Sequence, residues 1–143
     1  MEENWKTISG FSNYEVSNFG NVRNAITGKL LHKQKRKSGY VKVELWRGGK
    51  EYTRDIHRLV AIAFLGLHNG LVVNHINGQK DDNRLENLEW CTAKENMQHA
   101  MRTGLFTPKP PEVKKTPIRI VETGEIFDSI TDCARAIDSS VIN

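Results

Sequence analysis

The stretch LVVNHINGQKDDNRLENLEW, residues 71–90, decides how this sequence is interpreted. It begins with a strand-forming Leu-Val-Val run at 71–73, and the Asn-Gly pair at 77–78 is a strong signal for a hairpin turn. Between them stand Asn74 and His75, whose side chains can bind a metal ion or accept a proton. We therefore expect a β-hairpin with a polar site at the end of its first strand.

A helix is predicted directly after this hairpin, at about residues 93–103. Thr92 and Glu95 have the T-x-x-E spacing of a capping box, and Gly104 is suited to end the helix. The helix carries Asn96, so the local order is strand, strand, helix with polar groups in each part.

A ββα unit of this kind can bring His75, Asn74 and Asn96 into one cleft. Regular strand alternation would point the first two to opposite faces, so the strand must end or bulge there. A histidine is mostly neutral at pH 7 and can deprotonate a water molecule that attacks a phosphodiester. Asparagine oxygens suit Mg²⁺ or Mn²⁺, so we expect one divalent ion per site, bound weakly without DNA.

The remainder of the first half predicts short strands and turns over residues 5–56. Residues 40–46, YVKVELW, alternate, with Val41, Val43 and Leu45 on one face. Residues 57–65 are apolar nearly all round, which predicts a buried helix. We expect the three tryptophans in the core, and His57 as a capping or packing group outside the active site.

Composition excludes several classes of protein. The two cysteines are far apart, which argues against a disulfide framework or a zinc ribbon. The start of the sequence lacks the pattern of a signal peptide, and the apolar run at 59–65 is too short to span a bilayer. The formal net charge is +4 and the pI about 9.1, which hints at an anionic partner.

Positive charge is densest over residues 29–54, which hold nine Lys or Arg against two Glu. Charge runs are usually solvated surface, but here they fall on adjacent strands beside the expected site. We predict contact with the DNA backbone, and a two-stranded ribbon can also enter the major groove. The candidate DNA-binding residues are Lys33, Lys35, Arg36, Lys37, Lys42, Arg47, Lys50, Arg54, Lys80 and Arg84.

The sequence also resembles a known family. The stretch DIHRLVAIAFLG, followed by LVVNHINGQKDDNRLENLEWCTAKEN, is similar to the HNH nuclease domain of phage- and intron-encoded homing endonucleases. WKTISGFSNYEVSNFGNVRN resembles the small β module that precedes this domain. ETGEIFDSITDCARAIDSS resembles the start of a C-terminal helix-turn-helix module. Together these segments cover most of the chain.

The resemblance implies a role for each polar residue of the stretch. His75 matches the general base, and Asn96 matches a metal ligand on the helix. Asn74 stands where the family places the other metal ligand, which is often Asp. Asn87 matches the middle Asn of the HNH pattern, which supports the loop and orients the base. His99 is an alternative metal ligand, one helical turn after Asn96.

The fold class predicted from these features is α+β, with a small antiparallel β module before a ββα-metal nuclease fold. We expect the β module at 1–56 and the HNH nuclease domain at 57–106. A Pro-rich extended linker at 107–117 precedes a short partial helix-turn-helix module at 118–143. That last module, with its reading helix cut short, is expected to add little specificity.

The predicted function is a metal-dependent HNH endonuclease that binds double-stranded DNA. One active site per chain predicts a monomer that nicks one strand, and the resemblance implies 5′-phosphate and 3′-hydroxyl products. We expect no membrane association, no obligate protein partner, and action in the cytoplasm of a bacterial host as a phage- or intron-encoded protein. The alternatives are a catalytically weak or inactive DNA-binding protein and a nuclease that acts on RNA.

Overall fold

The computed structural model describes residues 1–110, 118–119 and 126–127. The chain divides into two compact units, residues 1–107 and 108–143. The first unit begins with two three-stranded antiparallel sheets. Their strands, in chain order, are β1 (Trp5–Ile8), β2 (Phe11–Ser17), β3 (Val22–Asn24), β4 (Gln34–Lys35), β5 (Val41–Arg47) and β6 (Lys50–Asp55).

A ββα unit follows the second sheet, after a connecting helix. Helix α1 is this connecting helix and begins directly where β6 ends. The ββα unit itself consists of a two-stranded antiparallel sheet and a second helix. The elements are α1 (Ile56–Leu65), β7 (Val72–His75), a 3₁₀ turn (Leu85–Asn87), β8 (Leu88–Cys91) and α2 (Ala93–Arg102).

One hydrophobic core extends through the first compact unit, from the two N-terminal sheets to α1 and β8. The alternation predicted for β5 is confirmed, since Val43 and Leu45 are fully buried. They belong to the same buried cluster as Val16 of β2 and Ile56 and Val60 of α1. The predicted boundary at residue 56 therefore falls inside a continuous core, because α1 buries its apolar surface on the sheets of the N-terminal part.

The predicted hairpin is confirmed, with β7 and β8 as its strands, but a long loop and not a tight turn joins them. The Gly78 amide does close a turn by donating to the His75 carbonyl at 2.9 Å. Strand β7 nevertheless pairs with β8, with His75 opposite Leu88, so residues 76–87 form a long loop. The residues directly after the turn are polar and charged, and the next segment able to pair is β8.

Trp46 also departs from prediction, since its side chain is 53% exposed. It lies opposite Glu51 on the outward face of β5, as its position in the alternation requires. The capping box of α2 is confirmed, with Thr92 and Glu95 bonding each other's backbone amides. Helix α2 ends at Arg102, within a residue of the predicted end.

Beyond residue 110 the structure describes only two short strands. β9 (Ile118–Arg119) and β10 (Ile126–Phe127) pair antiparallel. Most of the predicted linker and the helices of the predicted helix-turn-helix lie outside the described residues. Among the residues that are described, no helix has the length and apolar character needed to cross a membrane.

Candidate active site

A cleft of about 410 Å³ lies against the ββα unit, between β7 and α2. Asn74, His75 and Asn96 all line it, so the three residues predicted to share a site are brought together. Asn74 and His75 are the last residues of β7 and are 6% and 5% exposed. Tyr40 and Lys80 form another part of the wall.

The His75 ring is held by a neighbour that the sequence analysis did not single out. Its Nε2 lies 3.0 Å from the Asn83 side-chain oxygen, and both residues are buried. The Asn83 amide nitrogen is directed to the Asp81 carbonyl at 3.4 Å. Its oxygen is therefore the atom facing His75, so the imidazole donates from Nε2–H. The remaining nitrogen, Nδ1, then carries the free lone pair.

His57 is the second residue near the site that sequence reasoning left out. It packs, as expected, but its partners are the site residues themselves: its ring centroid is 5.2 Å from that of His75 and 4.9 Å from that of Tyr40. Its Nδ1 is buried without a hydrogen-bond partner among the described residues. Burial is the main cause that lowers the pKa of His57 to about 4, and the neighbouring His75 adds to it.

Glu89 fixes the orientation of the Asn74 amide. The two residues face each other across β7 and β8, and the Asn74 nitrogen donates to a Glu89 carboxylate oxygen at 2.8 Å. A carboxylate only accepts, so the nitrogen must point to Glu89 and the oxygen away from it. Asn74 is thereby prepared to offer its oxygen to a cation, and Glu89 supplies a negative charge beside it.

Helix α2 supplies the other candidate ligands. Asn96 and His99 are half-buried and both line the cleft. The His99 Nε2–H donates to the Ile76 carbonyl at 3.1 Å, which ties α2 to the chain just after His75. Within residues 1–110 no group of three or more His, Cys, Asp or Glu side chains is arranged to hold a metal ion. A cation in this cleft would therefore depend on amide oxygens.

The Asn87 side chain makes its hydrogen bonds within the loop and none to His75. Its oxygen accepts from the Asn77 backbone amide, and its nitrogen donates to the Asn77 side chain and the Asp82 carbonyl, each at 2.9 Å. The same loop contains a pair in which Arg84 hydrogen bonds lower the pKa of Asp82 to about 2. The Asn87 hydrogen bonds and the Asp82–Arg84 pair both restrain the segment that carries Asn83.

The ten basic residues do not form one surface. Paired residues of β5 and β6 share a face, so Arg54 lies on the Val43 face and Lys42 on the opposite one. Arg47, Lys50 and Arg54 surround the Tyr52 ring. Others are held by protein groups: Lys35 by Asp81, Arg36 by Asp55, Lys42 by Glu44, Arg84 by Asp82 and Glu86, Lys33 by Asn21, and Lys80 by the Ser38 carbonyl.

These features define a class of protein. It is an α+β molecule whose ββα unit carries a histidine at the end of a strand, beside a cleft lined by asparagine and histidine side chains that could bind a metal ion. Family models agree with this class. The model described as HNH endonuclease matches residues 54–98, and the model described as NUMOD4 motif matches residues 3–46.

Individual relatives point the same way. The chain is 44% identical over 138 residues to the uncharacterized HNH endonuclease L247 of Acanthamoeba polyphaga mimivirus, covering 92% of this chain and 34% of that protein. It is 46% identical over 102 residues to DNA endonuclease I-HmuI of Bacillus phage SP01, covering 70% of this chain and 59% of that one. The chain thus spans less than two thirds of these curated relatives.

A solved structure extends the likeness to the fold. It describes DNA binding and cleavage by the HNH homing endonuclease I-HmuI, and it superposes with a TM-score of 0.75 at 38% identity. The match covers 94% of this chain and 82% of that one. The chain belongs to the HNH endonuclease family.

Proposed function

We propose that the protein is a metal-dependent DNA endonuclease in which His75 is the general base for attack on a phosphodiester. The observation that carries the proposal is the His75 ring, buried at the end of β7, bonded through Nε2 to Asn83, and lining the cleft shared by Asn74 and Asn96. The identity of 46% with DNA endonuclease I-HmuI supports the choice of DNA as substrate.

Asn83 sets the form of His75 that can act as a base. Because Nε2–H donates to the Asn83 oxygen, Nδ1 is left to accept the proton of the attacking water. A positive charge that develops on the ring during this step is stabilised by the same oxygen, which accepts the hydrogen bond more strongly from an imidazolium. Asn83 is therefore a positioning residue for His75.

Asn74 and Asn96 fit one divalent cation, Mg²⁺ or Mn²⁺. Their donors are neutral oxygens, which hard cations accept, and Glu89 already turns the Asn74 oxygen away from itself. When bound, the ion would stabilise the negative charge on the leaving oxygen. Lys80 lines the same cleft, where its charge favours an incoming phosphate.

The basic residues divide into two groups in this proposal. Lys37 and Lys50 are exposed and make no salt bridge within the described chain, so they are free to meet phosphates. Arg84 is engaged by two carboxylates. We expect Lys37→Ala and Lys50→Ala each to reduce the slope of log affinity against log salt by about 0.9. Arg84→Ala should leave the slope almost unchanged.

The described residues contain one candidate site, which supports nicking of one strand in each binding event by a monomer. The phage origin of I-HmuI supports action in the cytoplasm of a bacterial host. The test is incubation with supercoiled plasmid and phage genomic DNA in Mn²⁺, Mg²⁺ or EDTA. Wild-type protein should give relaxed circles only with metal, and His75→Ala should give none. DNA binding without cutting in either metal would instead identify a binding protein derived from a nuclease.

Asn83→Ala refines the same assay. It removes the acceptor of His75, and we expect a nicking rate roughly 10² lower, since a misplaced reacting group costs about that factor. Asn83→Asp keeps an acceptor oxygen and should recover most of the rate. Gln79→Ala, an exposed residue of the same loop, is the matched control and should cut like wild type. Equal rates in all three variants would refute the role of Asn83.

A further inference from the structure

The turn at residues 17–21 is one of the places where the N-terminal β module contacts the loop of the active site. Ser17, at the start of the turn, is fully buried, and its hydroxyl accepts hydrogen bonds from the amides of Phe19 and Asn21. The Ser17 amide in turn donates to the Asn21 carbonyl at 2.8 Å. The turn is therefore closed and held internally.

Asn18 bonds this turn to the N-terminal residues of the chain and to the loop of the active site. Its side-chain oxygen accepts from the Asn4 amide at 2.7 Å, and its nitrogen donates to the Glu2 carbonyl at 3.1 Å. Its own carbonyl accepts from the backbone amide of Leu85 at 2.8 Å. Leu85 belongs to the loop between β7 and β8, two residues after Asn83. The turn is thus hydrogen bonded to the loop that supports His75.

Gly20 makes the closest approach. A Cβ placed on Gly20 would lie 2.9 Å from both the Asn83 Cβ and the Asn83 carbonyl oxygen. Gly20 also has φ +76°, a conformation that side chains disfavour. Any larger residue would therefore displace Asn83, and the Asn83 side-chain oxygen is the atom that contacts the His75 ring.

We propose that the turn at 17–21 of the N-terminal module is a positioning element for His75, with Gly20 seating Asn83 against the imidazole. The module predicted to bind DNA thereby also sets the geometry of the base. This inference rests on the proposed nuclease function, because it assigns the turn a part in that reaction. Its physical content is the contact from Gly20 to Asn83 to His75.

The test compares Gly20→Ala with Gly28→Ala. Gly28 has a similar φ of +70° but no atom within 4 Å of an added Cβ, so its substitution introduces the backbone strain without the collision. We measure the nicking rate at saturating protein and, separately, the Kd for DNA in EDTA. Gly20→Ala should nick roughly 10-fold to 100-fold more slowly than Gly28→Ala, with similar Kd for DNA. Equal nicking rates would overturn the inference.

A spectroscopic measurement makes the result independent of cleavage. The ring nitrogens of His75 are observed by NMR on histidine labelled with ¹⁵N and assigned with His75→Ala. Their signals should move in Gly20→Ala and stay in place in Gly28→Ala. Wild type that cuts no DNA would refute the proposed function, whereas unmoved signals in Gly20→Ala would refute the coupling alone.

Asn18→Ala serves if Gly20→Ala does not fold. It removes the bonds to Asn4 and Glu2 without adding any atom, so the turn loosens rather than collides. We expect a smaller loss of nicking rate in the same direction, again with unchanged Kd for DNA. Wild-type nicking and unmoved His75 signals in folded Asn18→Ala would overturn the inference.

Discussion

His57 shows what a single buried histidine contributes to stability at this site. Its pKa in the folded protein is about 4, below its ordinary value of 6.5, because burial disfavours the charged ring. Between these values the unfolded chain binds a proton that the folded chain does not. The stabilisation is therefore complete above about pH 6.5 and is lost as the pH falls towards 4.

His57→Phe should remove this acid sensitivity. A phenyl ring is of similar size and does not titrate, so wild type should lose about 2 to 3 kcal/mol more than the variant between pH 7.5 and 4.5. Urea unfolding at the two pH values gives the difference, with His32→Phe, at an exposed position, as control. The same loss of stability in wild type and His57→Phe would contradict the assignment.

The positions of single residues were predictable where a local pattern fixes them. His75 and Asn74 follow a strand-forming run, and the family pattern supplies the rest. Asn83 and His57 lack such a signal. The sequence shows Asn83 as one polar residue among several in a loop, and His57 precedes His75 by 18 residues, at the start of an apolar helix. Their roles depend on contacts made in the folded chain, and only the structure specifies those.

The loop between β7 and β8 carries Asn83, which positions His75. Within this loop, the Asn87 side chain makes three hydrogen bonds that hold its conformation. Asn87→Ala removes the three hydrogen bonds of a buried side chain, which should cost about 2 to 4 kcal/mol of stability. Amide exchange at Asn77, which donates to Asn87, should accelerate. Gln79→Ala, an exposed residue of the same loop, is the control. Unchanged exchange at Asn77 would show that the loop is held elsewhere.

Elements were predictable to the extent that their signals are local. The capping box at Thr92 located the start of α2, and alternation located β5. Alternation also placed Trp46 with Lys42 on the outer face of β5. Only the large apolar side chain of Trp46 favoured the prediction that it lies in the core. The Asn-Gly pair at 77–78 correctly marks a turn, but it does not specify the register in which β7 pairs with β8. Strand pairing is set by contacts distant in sequence, which a turn signal does not specify.

For the whole molecule, the shared core predicts that residues 57–107 do not fold alone. Leu59 and Val60 of α1 are buried in the cluster that contains Val16 and Val43, and a cut at residue 56 would also remove Ile56. Exposing these side chains costs roughly 1.5 to 3 kcal/mol each, a large share of the net stability of a small domain.

The comparison is between fragments 1–107 and 57–107. The first should melt cooperatively and give dispersed NMR signals, because it contains the complete compact unit. The second should lack both, and Mg²⁺ or Mn²⁺ should not restore them, since amide ligands are expected to bind metal weakly. A cooperative transition in fragment 57–107 would mean that the nuclease part carries its own core. The turn at residues 17–21 would then act on an independently folded site, and Gly20 would matter only through its contact with Asn83.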